Sequence, residues 1–305
     1  MSVAASTTDR RFTNQLTVRA DGQSLTVSGA SITGGVANRP VVDAAQLGVP
    51  LCDGPLPAAA RGAIVICKRG TNARIEKSNI VLGSGGAGMV LYNPTPADVV
   101  SDNHWLPSIH IDTDAAQQLL AFTAAHSRTL VLGDISPGQA EIAPDLGDRM
   151  AAFSARGPLP PEQLGISKPD IAAPGVQILA GQTPRPNTVD EGPTGQLFQA
   201  IAGTSMAAPH VAGAGALLKA LHPDWTPGQI KSALMTTART QVVKEDARTP
   251  ATPYDMGAGR IDLSHAGDPG LTFDISADAF LTDTAHLYRL NYPSISLPVM
   301  PGRQS

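Results

Sequence analysis

The segment from Ala207 to Leu221 predicts one helix and much of what must surround it. Val211, Ala214, Leu218 and Leu221 recur at i, i+3, i+7 and i+10, the period of one helical face, while the other faces carry Gly213, Gly215 and several alanines. A helix with so little side-chain bulk lets neighbouring backbones approach closely, and one this apolar on every face is expected to be buried. His222-Pro223 stops it. Thr226-Pro227-Gly228-Gln229 then has the capping-box spacing with proline at the first helical position, which predicts a second helix running to about Ala238.

Upstream the texture changes. Ser24 to Ile32 alternates as a strand does, and Gly34-Gly35 breaks it. Ala63 to Cys67 is a short apolar run, Asn72 to Leu82 reads as a helix with Ile75, Asn79 and Leu82 on one stripe, and Gly88 to Tyr92 is a second apolar run. Strand, helix and strand within about thirty residues predict a right-handed βαβ unit. A further helix is expected over Thr113 to His126 with Leu119, Leu120 and Phe122 inward, then a strand over Thr129 to Leu132. Together these form a module of about one hundred residues with its own core. Pro137 to Asp148 reads as a polar connector; after Pro269 periodicity fades, and Tyr292 to Met300 reads as the opening of another β element.

Composition removes several classes of function. The chain has 305 residues, 30 of them glycine and 26 proline, with 16% charged, 4% aromatic and 42% hydrophobic, so its apolar content is mostly small and aliphatic. That excludes a disordered chain and a coiled coil, and the length corresponds to roughly two domains. A net charge of -4 favours neither nucleic acid nor an anionic membrane as a partner. No apolar run approaches the roughly 18 residues of a membrane span. Met1 to Arg11 holds no apolar stretch of the kind that directs export. Cys52 and Cys67 flank a turn-rich stretch and read either as a disulfide or as two separate thiols.

Chemistry concentrates in Gly203-Thr204-Ser205-Met206-Ala207-Ala208-Pro209-His210, where a loop enters the apolar helix. There the Ser205 oxygen lies near the positive end of the helix dipole, which stabilises a developing negative charge by about 0.3–1 kcal/mol. Gly203 allows close approach, and Pro209 is expected in the first turn, where it leaves no essential donor unpaired. Taken alone, the motif reads first as a helix cap at Ser205. It does not stand alone: Met150 to Pro158, Lys168 to Val176, Gly203 through Leu218, His222 to Trp225 and Ile230 to Ala238 together resemble, in order, the C-terminal half of the catalytic domain of subtilisin-like serine proteases. The resemblance implies that Ser205 is the catalytic nucleophile, that its backbone N–H donates to the oxyanion, and that Gly203 and Thr204 border the bound substrate.

The stretch from about Gly35 to Gly133 resembles the protease-associated domain that many larger subtilases carry as an insertion. Leu51-Cys52, Gly62 to Gly70, Gly85 to Asn93 and Leu106 to Asp112 carry the likeness. It implies a Cys52–Cys67 disulfide and, with it, an oxidising, extracellular setting. Val3 to Arg10 resembles the catalytic-domain strand that precedes the insertion. The implied organisation is residues 1–34 leading into the insertion, 35–135 as the protease-associated domain, 136–265 as the C-terminal half of the parallel-sheet α/β catalytic domain, and 266–305 opening a β domain of fibronectin III type.

A serine hydroxyl needs a base in hydrogen-bonding reach, itself oriented by a carboxylate. In subtilases both partners precede the serine along the chain. The seven histidines here are followed by Trp105, Ile111, Ser127, Val211, Pro223, Ala266 and Leu287, never by the glycine of the family's histidine motif. Asp53-Gly54 is a poor match to the aspartate motif, and no oxyanion asparagine is found. His210, five positions beyond Ser205, faces another side of the helix and is expected to pack. His104, His110, Asp112 and Asp114 superficially resemble a metal cluster, but strand and capping roles explain them, so no metal is expected. No cofactor is implied, and calcium sites are left open. Arg69, Arg74 and Lys77 read as a solvated face. The expectation is part of a secreted serine endopeptidase acting on polypeptides and inactive without the N-terminal half of its catalytic domain. Its rivals are a protein-binding module built on the inserted domain and a gene fragment without function of its own.

Overall fold

The computed structural model describes residues 1–158, 166–282, 287–288 and 290–294. In chain order its strands are β1 (Val3–Ser6), β2 (Arg10–Ala20), β3 (Gln23–Ala30), β4 (Val36–Asp43), β5 (Ile64–Lys68), β6 (Gly88–Tyr92), β7 (Ser108–Ile111), β8 (Leu132–Ile135), β9 (Gln139–Ile142), β10 (Ile171–Pro174), β11 (Ile178–Gly181) and β12 (Phe198–Ile201). The main helices are α1 (Arg74–Gly83), α2 (Thr113–Ala125), α3 (Thr204–Leu221) and α4 (Pro227–Thr236). Two compact units result: Arg10–Ala143 with Gln177–Ile201, and Met1–Asp9 with Pro144–Val176 and the chain from Ala202 onward.

In the first of these units the sheet order is β3-β7-β6-β5-β4-β8-β2-β9, and β2 also pairs with β3, which closes the sheet on itself. Asp21-Gly22, both at positive φ, form the two-residue turn that joins β2 to β3 in register Ala20↔Gln23. β5, α1 and β6 form the expected βαβ unit, with Ile64 to Lys68 parallel to Gly88 to Tyr92. Leu16, Val18, Ile64, Ile66, Ile109 and Leu119 fill one core, and Val65, Cys67, Val81, Met89 and Leu91 fill another. The Cys52–Cys67 disulfide is formed and buried in the second.

Several expectations are corrected here. α1 buries Ile75, Lys77, Ser78 and Val81, while Leu82 of the expected stripe is 43% exposed. The apolar reading passed over polar side chains whose hydrogen bonds permit burial. Ser78 donates to the Ile75 carbonyl and accepts from the Trp105 N–H. Arg69, Arg74 and Lys77 are not a solvated face. Lys77 is fully buried, its ammonium donating to the Leu51 carbonyl and Asn72 Oδ1, and burial pulls its pKa down to about 8. Arg74 grips the buried Asp102 carboxylate with Nε and Nη2 at 2.5 and 2.9 Å, and Arg69 donates to Asn93 Oδ1. β8 starts at Leu132 rather than Thr129, because Thr129 turns its hydroxyl to Asp21 and the His126 carbonyl. The expected connector contains β9, which pairs with β2.

In the other unit β1 and β10 run parallel in register Val3↔Ile171 to Ser6↔Pro174, and α3 and α4 pack beside them around Ala5, Ala173, Val211, Leu218 and Leu234. The capping box that opens α4 forms in both directions, between Thr226 Oγ1 and the Gln229 N–H and between Gln229 Oε1 and the Thr226 N–H. α3 departs from expectation: only Ala207, Val211, Ala214 and Leu218 are buried, while Leu217 and Leu221 are each 62% exposed. A sequence apolar all round thus presents most of its circumference to solvent, because the packing elements present reach one stripe only. The β element expected over Tyr292 to Met300 lies, beyond Ser294, outside the described residues.

His104 and His110 are buried near Asp102. His110 Nδ1 accepts from the Val100 N–H and Nε2 donates to Asn93 Oδ1, whereas neither His104 ring nitrogen has a partner among the described residues. Burial pulls their pKa values from 6.5 to about 4 for His104 and about 3 for His110. Their contribution to stability is fully present above about pH 6.5. It is lost as pH falls toward 4 and 3, because the unfolded chain takes up protons that the folded one refuses. The paired Asp102, held below its ordinary value of 3.8, adds a loss only at lower pH. The thermal midpoint of this unit is therefore predicted to fall between about pH 7 and pH 4, and less steeply in His104→Phe; equal slopes for variant and parent contradict this reading.

Candidate active site

The loop that opens α3 is built from the ends of β1 and β10. At the end of β10, the Gly175 N–H donates to the Ser6 carbonyl at 2.8 Å, and the Gly203 N–H donates to the Gly175 carbonyl at 2.8 Å. Two strands and a helix start are thereby joined by backbone alone. A Cβ on Gly175 would lie 2.7 Å from the Ala5 Cβ, 2.8 Å from the Gly203 oxygen and 3.2 Å from the Ala207 Cβ. Glycine is the residue this approach admits. On the other flank of β1, the Ala5 N–H donates to Ser154 Oγ and the Ala5 carbonyl accepts from Ala151.

β10 is bracketed in turn by Asp170 and the segment after α4. The buried Asp170 carboxylate meets Lys168 at 2.7 Å and Lys231 at 3.0 Å, and accepts from the Ser2 N–H at 2.6 Å. Burial pushes its pKa up, but the hydrogen bond from Lys168, the Lys231 charge and the Ser2 N–H hold it below the ordinary value. The Asp170 backbone also fits against Gly257, at φ +65°, where a Cβ would sit 2.3 Å from the Asp170 carbonyl. The sequence reading assigned Asp170 no role, although two lysines close to one buried carboxylate are a fold-level anchor.

Ser205 is exposed in the first turn of α3, and its hydroxyl has no partner among the described residues. Met206 and Ala207 donate to the Gly203 carbonyl, while the Thr204 and Ser205 N–H groups have no partner among the described residues. Unpaired donors at a helix N-terminus, together with the dipole, favour a negatively charged oxygen there. α3 begins at Thr204, three residues before the expected start, so Pro209 lies in the second turn rather than the first. Lacking an N–H, it cannot close the hydrogen bond to the Ser205 carbonyl. His210 is exposed and turns Nδ1 to the Met206 carbonyl at 2.8 Å, a contact with its own helix. Asp112 caps α2 by accepting from the Ala115 N–H, and Asp114 sits in its first turn, apart from the buried His104 and His110.

Comparison with known proteins accords with this arrangement. The chain matches the subtilase family, Peptidase S8, over residues 5–259, and it belongs to that family. It is 38% identical over 302 residues to Subtilisin-like protease SBT1.6 of Arabidopsis thaliana, covering 92% of this chain and 38% of that protein. Subtilisin-like protease SBT1.5 of the same organism is 34% identical over 331 residues, covering all of this chain and 42% of the relative. The chain thus spans about two fifths of these relatives. Among solved structures, a zinc aminopeptidase from Bacillus subtilis overlaps 43% of this chain and 33% of its own at 16% identity, with a TM-score of 0.26. The family is one of serine peptidases with a mixed α/β fold, in keeping with the parallel pairing of β1 and β10.

Removing the Asp170 charge leaves two lysines facing a neutral amide, which costs about 3 kcal/mol. Urea unfolding of Asp170→Asn at neutral pH is predicted to show a loss of that order; a change below about 0.5 kcal/mol contradicts the anchoring role.

Proposed function

We propose that this chain carries the nucleophile of a secreted subtilisin-like serine endopeptidase, and that Ser205 is that nucleophile. The observation that carries the reading is an exposed hydroxyl at the start of α3 beside its own N–H, which has no partner among the described residues, in a chain of the subtilase family. In this mechanism Ser205 Oγ attacks the scissile carbonyl carbon as a base removes its proton. The carbonyl oxygen takes up negative charge and accepts from the Ser205 N–H. The amine then leaves with the proton, giving an acyl-enzyme that water hydrolyses, while Gly203 and Thr204 border the acyl group.

The base, its orienting carboxylate and the side-chain donor to the oxyanion are proposed to come from a segment outside these residues, the N-terminal half of the catalytic domain. The exposed Leu217 and Leu221 on α3 are in keeping with a face that such a segment covers. The closed sheet of Arg10–Ala143, with its βαβ unit and disulfide, supports a protease-associated domain; the insertion proposed over residues 35–135 carries β4 to β8, while β2, β3 and β9 of the same sheet lie outside those bounds. The buried disulfide supports an oxidising, extracellular setting. No helix among the described residues is long and apolar enough to cross a membrane. A second reading, a polypeptide-binding module, draws on the same unit having its own two cores.

A fluorophosphonate probe decides between them. The chain alone is predicted to label at Ser205 about 10⁶-fold more slowly than a complete triad, and to accelerate when the missing half is supplied. Rapid stoichiometric labelling of the chain alone overturns its dependence on a second segment. Peptide binding with no acceleration on complementation favours the binding module.

A further inference from the structure

Within the unit formed by Arg10–Ala143 and Gln177–Ile201, a loop holds a hairpin through side chains alone. β11 and β12 pair Ile178↔Ile201 through Gly181↔Phe198, and no third strand joins them among the described residues. Ser101 Oγ donates to the Ala200 carbonyl at 3.3 Å, Asn103 Nδ2 to the Phe198 carbonyl at 3.1 Å and Trp105 Nε1 to the Val189 carbonyl at 2.9 Å. Gly192 lies so close that a Cβ there would be 2.8 Å from the Asn103 oxygen. A two-stranded hairpin is marginally stable in water by itself, so its order depends on what it is fastened to.

The loop is fastened in turn through two histidines. Asn93 Nδ2 donates to the Ala97 and Asp98 carbonyls, which leaves Asn93 Oδ1 to accept from Arg69 and from His110 Nε2. His110 is thereby a neutral ring with its proton on Nε2, and its Nδ1 accepts from the Val100 N–H at 2.9 Å. A second proton, on Nδ1, would face that N–H and find only the Val100 carbonyl, at 3.2 Å, as acceptor. His104, within the loop, is 7% exposed, and neither of its ring nitrogens has a partner among the described residues. A charged ring held there without hydrogen bonds is costly. The charged groups acting on both rings are Asp102 and Arg74, which bind each other at 2.5 and 2.9 Å, and Arg69, itself near Asp98, lies beyond Asn93. The pull of Asp102 is shared with Arg74, and burial outweighs it. β3 and β6, which flank His110 on β7, bring no charged side chain. On the hairpin, Asp190 is exposed and Glu191 accepts from the Asn187 N–H.

We propose that residues 97–105 form an acid-operated latch: proton uptake by His104 and His110 releases the loop, and with it the β11–β12 hairpin, while the sheet of the same unit stays folded. The latch does not depend on any role of Ser205. Released rings have the ordinary pKa of 6.5, whereas the closed loop holds them at about 4 and about 3. Protons therefore bind the open form first, and opening is favoured as pH falls below about 6.5. Between pH 7 and pH 5 the opening constant rises about 25-fold for each histidine released, so the latch responds in mild acid.

The test is amide hydrogen exchange of the whole chain at pH 7 and pH 5, each corrected for the intrinsic exchange rate at that pH. Amides of residues 99–105 and of β11 and β12 are expected to lose protection by about 25-fold or more, and at pH 5 to exchange faster than those of β5 and β6. In His104→Phe the loss is expected to be about 25-fold smaller. His104→Asn, equally uncharged, serves if the phenylalanine variant does not fold. Protection that is the same at both pH values, equal losses in parent and variant, or a common exchange rate for the loop and β5 overturns the latch. Loosening of residues 99–105 with β11 and β12 still protected overturns the release of the hairpin.

Discussion

The contact on which this structure turns is a glycine without room for a side chain. Gly175 follows β10 and lies against Ala5 of β1, the Gly203 carbonyl and Ala207 of α3, where a Cβ would come within 2.7, 2.8 and 3.2 Å of them. Its backbone also passes hydrogen bonds on, receiving one from Gly203 and giving one to Ser6. The N-terminus of α3 is therefore referred to two strands through main-chain atoms and methyl groups, with no flexible side chain between them. A reactive hydroxyl gains from such a mount, because a displacement of about an ångström at the reacting atoms is costly in rate. The small residues of α3 serve the same end, since bulk at Ala207 or Ala214 would push the helix off the strands.

Burial of charge follows one rule in both units. Asp170 and Asp102 are almost fully buried, and each meets cations within hydrogen-bonding range, Lys168 and Lys231 for one and Arg74 for the other. Lys77 has no carboxylate contact among the described residues and instead donates to two oxygens, and burial holds its pKa down at about 8. Each of these groups pins a stretch of irregular backbone: Asp170 the entry to β10, Asp102 the loop across from β12, and Lys77 the chain beside the disulfide. Polar burial in this protein orders loops more than it supplies net stability.

Much of this was legible in the sequence wherever one residue type carries one physical role. The capping box at Thr226, the strand–helix–strand over residues 64–92 and the cap at Asp112 all follow from local chemistry. The motif around Ser205 was legible as a helix start, though its register was off by three residues and Pro209 was placed a turn too early. What could not be read was pairing at long range. Lys77 and Arg74 look like surface cations until Leu51, Asn72 and Asp102 are brought to them from 5 to 28 positions away. Nor does apolar character alone tell which face of α3 meets a neighbour. The β11–β12 hairpin escaped because Leu179, Leu197 and Phe198 are exposed, so the burial alternation that marks a strand is missing.

The central claim, that the start of α3 is set by close backbone approach at Gly175, is tested most directly by urea unfolding of Gly175→Ala. One added methyl group in this contact is predicted to destabilise the Ser205-bearing unit by about 1–3 kcal/mol, through overpacking against Ala5, Gly203 and Ala207. Stability within about 0.3 kcal/mol of the parent chain would contradict the account.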